Sequence, residues 1–142
     1  MNEALTADAV ESTELTWGVA KWLITVERHR STMSLGEVIV LPGQSHEWHN
    51  HEESDEIVYV LSGRGSFTVG EGNSIPIVPG DALHIPVGVF HDSHNDGWAP
   101  LHLLVMYSPG GPEGGTPDNA HAIHPAGESL VMHTSVEDPG NA

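Results

Sequence analysis

Short runs of alternating apolar and polar residues, separated by glycine and proline, fill the chain from Trp17 to Tyr107. A two-residue period over runs of this length predicts β-strands, and Pro-Gly pairs between the runs predict turns. We expect strands over residues 17–26, 35–41, 57–61, 66–69, 74–78, 82–85, 89–94 and 101–107. No segment shows a convincing helical period. The pattern therefore predicts an all-β fold, an antiparallel sandwich or barrel.

The two ends of the chain lack this alternation. Residues 1–15 are small and acidic, which predicts a loose arm or a frayed helical turn before a barrel domain at residues 16–108. Residues 109–142 are rich in glycine and proline, and we expect an extension lying over the barrel or over a partner subunit. Within it, residues 128–136 favour one more short strand. Its histidines are interpreted as surface residues, and they are His121, His124 and His133.

Composition narrows the classes of function. The chain has 142 residues, a length typical of one domain, and its net charge of −16 repels nucleic acid and substrates with several phosphates. The absence of cysteine excludes disulfides, zinc fingers and thiol catalysis. The first residues show no signal peptide, and no apolar run is long enough to cross a membrane. We expect a soluble, cytoplasmic protein with no nucleic-acid or membrane partner.

Candidate chemistry concentrates between Gly43 and Gly63. Because strand side chains alternate, His49 and His51 fall on one side of a strand and can direct two imidazoles at one point. Imidazoles near carboxylates form divalent metal sites. The spacing leaves three acids open as the carboxylate ligand, although alternation with the apolar residues that follow favours the last of them. These acids are Glu53, Asp55 and Glu56.

Two spaced motifs carry a family resemblance. In the first, five residues separate Gly43 from His49, one separates His49 from His51, four lead to Glu56 and six to Gly63. In the second, Gly80 is followed after five residues by Pro86, after one by Gly88, after two by His91 and after three by Asn95. In both spacing and order the chain resembles the cupin superfamily, specifically its small single-domain members.

The resemblance implies a six- to eight-stranded, jelly-roll-like barrel, the double-stranded β-helix, with one divalent transition metal inside. Carried over position by position, the ligands are His49, His51, Glu56 and His91. The implied ion is Mn, Fe, Ni, Cu, Co or Zn, because three imidazoles and one carboxylate suit each of them. The motif glycines are expected at turns, where glycine adopts positive φ without strain.

Several other polar residues are interpreted from their strand positions. Glu47 shares parity with His49, so it is a candidate cavity base, with a solvated rim carboxylate as the alternative. His102 is a candidate catalytic group if its strand face points inward, and otherwise a partly exposed histidine. His46 has the wrong parity and is expected at the rim or surface. His84 is left open between cavity and sheet surface. Two residues are expected to hold turns, Asp81 and Asn95.

The favoured function is a metal-dependent enzyme acting on a small organic substrate, an oxygen-using dioxygenase in which the substrate chelates the metal. The alternatives are a non-oxidative lyase, isomerase or decarboxylase that stabilises an enolate, and a non-catalytic binding or sensor protein. Exposed strand edges and a tryptophan-bearing first strand predict a homodimer.

Overall fold

The computed structural model describes residues 4–128 and confirms an all-β, antiparallel architecture. In chain order the strands are Ser12–Leu15 (β1), Gly18–Ile24 (β2), Ser34–Val40 (β3), Ser45–His49 (β4), Asp55–Ser62 (β5), Gly65–Val69 (β6), Ser74–Ile77 (β7), Ala82–Ile85 (β8), His91–His94 (β9), Leu101–Ser108 (β10) and Ala122–His124 (β11). One helical turn, Val26–His29 (α1), and two 3-10 segments, Ala7–Ala9 and Pro112–Asn119, complete the described elements. No helix among residues 4–128 is long and apolar enough to cross a membrane.

The strands form two sheets that enclose one core. The larger sheet has the order β11-β1-β2-β3-β10-β5-β8, and the smaller has the order β4-β9-β6-β7. Valine and leucine side chains of β3, β5 and β10 pack from the larger sheet against Phe67 and Ile77 of the smaller one. This packing closes one part of the interior and leaves a cavity between the sheets elsewhere.

Strand β5 shows why the alternating pattern predicts this fold. Glu56, Val58 and Val60 are buried, whereas Ile57 and Tyr59 between them are exposed. The buried set faces the interior because successive side chains leave a strand on opposite sides. The turn that follows begins at Gly63, whose φ of 81° and close approach to Pro100 both require glycine. The turn role predicted for the motif glycines is thus confirmed.

The expectation of a loose N-terminal arm is wrong for residues 12–15. Strand β1 pairs with β2 on one side and with β11 on the other, and Ser12 and Thr13 are almost fully buried. The sequence pattern does not reveal this strand, because its small polar residues carry no apolar signal. Pairing with a strand on each side satisfies its backbone N–H and C=O groups. The 3-10 turn Ala7–Ala9 agrees with the expected frayed turn.

The segment after β10 lies over the barrel as far as the structure describes it. Strand β11 adds to the larger sheet beside β1, with Ser12 opposite His124. The 3-10 segment Pro112–Asn119, here named the cover, lies across the cavity. Glu113 fixes the cover, because its carboxylate accepts hydrogen bonds from the amides of Val26 at 3.1 Å and Gly111 at 2.8 Å. The strand predicted at residues 128–136 lies outside the described residues apart from Glu128.

Two further details of the N-terminal half differ from expectation. The predicted strand 17–26 ends at Ile24, and the chain turns into α1, where the Thr25 hydroxyl caps the helix by accepting from the Arg28 amide at 3.0 Å. The tryptophan-bearing strand β2 is also not an edge, since β1 and β3 flank it. That argument for a homodimer therefore does not hold, and the homodimer stays a prediction.

Candidate metal centre

Four side chains, three from the two sheets and one from the connection between β4 and β5, converge in the interior. Each offers one ligating atom, and these atoms all lie within 4.8 Å of one another; the four residues are His49, His51, Glu56 and His91. They are the residues that the family resemblance implied. Glu56 Oε1 lies 3.2 Å from His51 Nε2 and 3.0 Å from His91 Nε2.

Different elements deliver these side chains. His49 ends β4 and lies opposite His91, which begins β9, so the smaller sheet supplies two imidazoles from paired positions. Glu56 comes from β5 in the larger sheet and points inward with Val58. His51 lies in the connection between β4 and β5, past the end of the strand expected to carry it. The centre therefore joins the two sheets.

Backbone carbonyls fix the orientation of two of the imidazoles. His49 Nδ1 lies 2.6 Å from the Glu47 carbonyl oxygen, and His91 Nδ1 lies 3.0 Å from that of Val89. Because a carbonyl only accepts, Nδ1 must carry the proton in each ring, which leaves Nε2 with a free lone pair. This is the tautomer that a histidine needs in order to ligate a metal through Nε2.

Three of the four converging atoms make no hydrogen bond among the described residues. His51 Nε2, His91 Nε2 and Glu56 Oε1 are all buried and unpaired, even though the distances between them are short. In His91 the proton is on Nδ1, so Nε2 faces the carboxylate oxygen as a second acceptor. Buried lone pairs that face one another without hydrogen bonds are costly. A cation between them would satisfy all three atoms, so the donor set fits a metal ion.

Electrostatics favours the protonation states that a cation requires at Glu56 and His49, whereas at His91 burial is outweighed by the neighbouring Glu56, which raises the pKa. Burial alone would raise the pKa of Glu56, but the neighbouring His51 and His91 imidazoles lower it to about 2. Burial, together with the neighbouring histidines, lowers the pKa of His49 to about 4 against the opposing bond to Glu47. At neutral pH the carboxylate is thus ionised and the His49 ring neutral, as metal ligands must be.

A cavity of about 430 Å³ adjoins the cluster. Its walls are mostly aliphatic and aromatic side chains from both sheets, and the cover closes one side. The apolar residues of the walls are Leu15, Trp17, Ala20, Trp22, Val38, Trp48, Val58, Phe67, Leu103, Val105 and Tyr107. The cover contributes Pro112, Gly115, Thr116 and Asn119. This volume holds a molecule of the size of a substituted ring.

The interpretation of His46 as a rim residue is wrong. Its ring lies in the cavity wall, stacked between Trp17, at a centroid distance of 4.2 Å, and His49, at 3.9 Å. The pairing of β4 with β9 shifts register between His46 and His49, and this irregularity places both residues on the inner side. Burial and the nearby His49 lower the pKa of His46 to about 3.

The other predicted residues lie outside the centre. Glu47 is exposed at the edge of the cavity, as the rim alternative states. His102 lies on the outer face of β10, where its Nε2 is 2.7 Å from Glu37 Oε1, so it does not reach the cavity as a catalytic group. His84 is exposed and pairs with Asp55 at 2.8 Å, which also removes Asp55 from the ligand set.

The two turn residues behave as expected. Asn95 is fully buried and donates to the carbonyls of Val40 and Ala99, both at 2.8 Å. Asp81 accepts from the Val78 amide at 2.9 Å.

Sequence reasoning missed the aromatic part of the site. Tyr107 is buried and meets His51 edge-on at a centroid distance of 4.9 Å, and burial raises its pKa well above the ordinary value. The signal for Tyr107 was present, because it shares the buried face of β10 with Leu103 and Val105. No comparable signal marks the cover, whose residues are typical of a loop.

Comparisons with known proteins agree on the family and the fold. The family model of the cupin domain matches residues 36–107. An oxalate-binding protein of Thermotoga maritima is 32% identical over 78 residues, which cover 55% of this chain and 64% of that protein. A gentisate 1,2-dioxygenase of a Ralstonia species is 30% identical over 70 residues, covering 49% of this chain and 19% of the enzyme.

The chain therefore spans less than two thirds of the length of either relative. Ectoine synthase from P. lautus has a solved structure that superposes with a TM-score of 0.73 at 16% identity, covering 87% of this chain and 89% of the synthase. At this identity the likeness is one of fold.

Proposed function

Because this chain belongs to the cupin family, we propose that it is a metal-dependent enzyme acting on a small organic molecule. In the proposal one divalent transition metal is held by the cluster described above, His49, His51, Glu56 and His91. The observation that supports it most directly is the convergence of buried, unpaired lone pairs at the edge of a cavity that can hold a substrate.

Within that class we favour a dioxygenase, in which both atoms of dioxygen enter the organic product and no outside reductant is needed. The similarity to a gentisate 1,2-dioxygenase supports this choice over the other reactions open to a cupin. A redox-active ion in this donor set would supply Lewis acidity toward the oxygens of the substrate and would exchange electrons with dioxygen.

The chain's own residues have separate tasks in such a reaction. The Glu56 carboxylate would offset part of the ion's charge, and the Nδ1–H groups of His49 and His91 keep donating to the backbone carbonyls that orient the rings. Phe67 and Leu103 exclude water from the interior. Glu47 lies at the rim, where a carboxylate can accept a substrate proton and pass it to solvent.

Metal content tests the centre. Protein purified without added metal is expected to contain about one transition-metal ion per chain by elemental analysis, whereas His49→Ala and His91→Ala are expected to contain almost none. His84→Ala is the matched control, because His84 is exposed and bonded to Asp55 outside the cluster. Retention of a full ion in both ligand variants would contradict the site.

Oxygen uptake tests the reaction class. With a substrate that the metal-loaded protein converts, we expect one dioxygen consumed per product and no turnover under strict anaerobiosis. Equal turnover without oxygen would assign the protein to the lyases or isomerases instead. Tight binding of a metabolite that is never converted would indicate a binding protein, as the name of the Thermotoga relative describes for that protein.

A further inference from the structure

None of the chain's four basic residues lines the cavity, although all four lie within the described part of the chain. Lys21 donates instead to the carbonyls of Ala7 and Val10, at 2.7 and 3.2 Å, and Arg28 donates to backbone carbonyls at the end of β2. The remaining two are Arg30, which ends α1, and Arg64, in the turn after β5. The cavity therefore offers no cationic side chain to a substrate.

The walls carry aromatic surface in place of charge. Trp17, Trp22 and Phe67 line the cavity together with Tyr107, and the aliphatic residues of β3 and β10 lie beside them. Aromatic and aliphatic walls favour a flat, apolar ring, both by burial of area and by stacking.

The cover adds only neutral residues to this wall. Its lining positions include Thr116 and Asn119, whereas its first acid, Glu113, is not a lining residue and accepts hydrogen bonds from Val26 and Gly111. Asp118 is exposed and does not line the cavity either. The side of the cavity closed by the cover therefore has no charge to match a second anionic group on a substrate.

The charge balance at the metal centre limits how many negative groups a bound substrate can carry. A divalent ion held by one carboxylate and three neutral imidazoles leaves one net positive charge. One ionised oxygen on a chelating substrate neutralises it. A second negative group on the same molecule would find no lysine or arginine in the lining, only neutral donors such as Thr116, Asn119 and the unpaired Trp22 Nε1, within a chain of net charge −16. Uncompensated buried charge is strongly disfavoured.

We propose that the cavity selects ring-bearing substrates that bind as monoanionic oxygen chelators and discriminates against molecules carrying a further carboxylate. The proposal rests on the metal centre proposed above and defines the substrate class that this centre serves. It also distinguishes this cavity from a site for a small dianion such as oxalate.

An isosteric pair of ligands tests the inference by charge alone. We would load the protein with Zn²⁺, which prevents turnover, confirm one ion per chain, and titrate 3,4-dihydroxybenzamide and 3,4-dihydroxybenzoate by calorimetry. Both have the same ring and the same chelating oxygens, and they differ in one negative charge. We expect the amide to bind at least tenfold more tightly, and oxalate to bind more weakly than the amide.

A variant pair then places the effect in the cavity. Thr116→Lys puts a cation in the wall and is expected to reduce the preference for the amide at least threefold. Gly114→Lys adds the same charge to the same segment at an exposed position with open space around it, so it is expected to leave the preference within twofold of the parent. Thermal melting of both variants confirms that they fold before their affinities are compared.

The outcomes separate this inference from the proposed function. Failure to load Zn²⁺ would overturn the metal centre itself. Full loading with equal or tighter binding of the benzoate or of oxalate would overturn the inference and leave the centre intact. Full loading with no binding of either ring compound would also overturn it. A Gly114→Lys effect as large as that of Thr116→Lys would assign the preference to overall charge and overturn the role of the cavity wall.

Discussion

Strands β4 and β5 follow each other in the chain and both supply ligands to the cluster, yet they are built differently. Strand β5 alternates regularly from Glu56 to Leu61, so that Glu56 and Val58 face inward and Ile57 faces outward, and its register against β10 shifts only at its far end, away from the cluster. Strand β4 shifts register against β9, and both His46 and His49 reach the inner side although three positions separate them. Strand β5 forms a regular wall of the cavity, whereas the register shift of β4 brings the rings of His46 and His49 together.

The difference relates the regularity of each strand to what it contributes to the core and to the metal centre. The regular strand contributes mainly packing, with one ligand carried on its inner face. The irregular strand contributes little to the apolar core but provides an aromatic stack and one end of the metal centre. An irregular strand next to a functional site is a common arrangement, because a bulge redirects side chains that strict alternation would separate.

The largest expected effect compares the glycines beside the two strands. Gly63 follows β5 with a φ of 81°, and an added Cβ would lie 2.3 Å from the Pro100 carbonyl oxygen; Gly43 precedes β4 with a φ of 79° and no atom within 4 Å. We expect Gly43→Ala to cost about 1–2 kcal/mol for the backbone alone. Gly63→Ala is expected to cost about 3–4 kcal/mol, because the steric clash adds to it. Urea unfolding measures both, and equal losses would mean that the two strands are held equally tightly.

A smaller effect is expected within β5 itself. Val58 is fully buried and Ile57 is 41% exposed. Val58→Ala is expected to lower the free energy of unfolding by about 2 kcal/mol, since it removes packed methyl groups. Ile57→Ala is expected to lower it by less than about 1 kcal/mol. Denaturant titration of the two variants checks the alternation, and a larger loss for Ile57→Ala would show that the outer face is covered by something else.

The smallest effect concerns the stack on β4. His46→Ala removes the ring that supports His49, and we expect the affinity for Zn²⁺ to fall about three- to tenfold, less than the loss typical of a hydrogen-bonded ligand partner. His46→Phe keeps the stack and is expected to stay within twofold. Competition with a chromogenic chelator measures both. A large loss in His46→Phe would instead identify His46 as a ligand, and the contrast between supporting ring and ligand would disappear.

The features that were predictable from the sequence are those that depend on local periodicity or on motif spacing. Alternation placed Glu56 with Val58 and Val60, and the two motifs related His91 to ligands some forty residues earlier. Alternation failed at His46, because parity arguments assume an unbroken ladder and the register shift depends on pairing with β9. Strand β1 was missed for a related reason, since its pairing with β11 joins segments more than one hundred residues apart.

Because the cover lies late in the chain, it is synthesised after the residues of the cluster. Glu56 and His91 are synthesised before any residue of Pro112–Asn119. At about 5–20 residues per second, the 28 residues between His91 and Asn119 take a ribosome roughly one to six seconds to add. During that interval the growing chain already contains all four converging side chains while the wall that will shield them does not yet exist. The cover is therefore the last of these parts of the cavity wall to be synthesised, after every residue of the cluster.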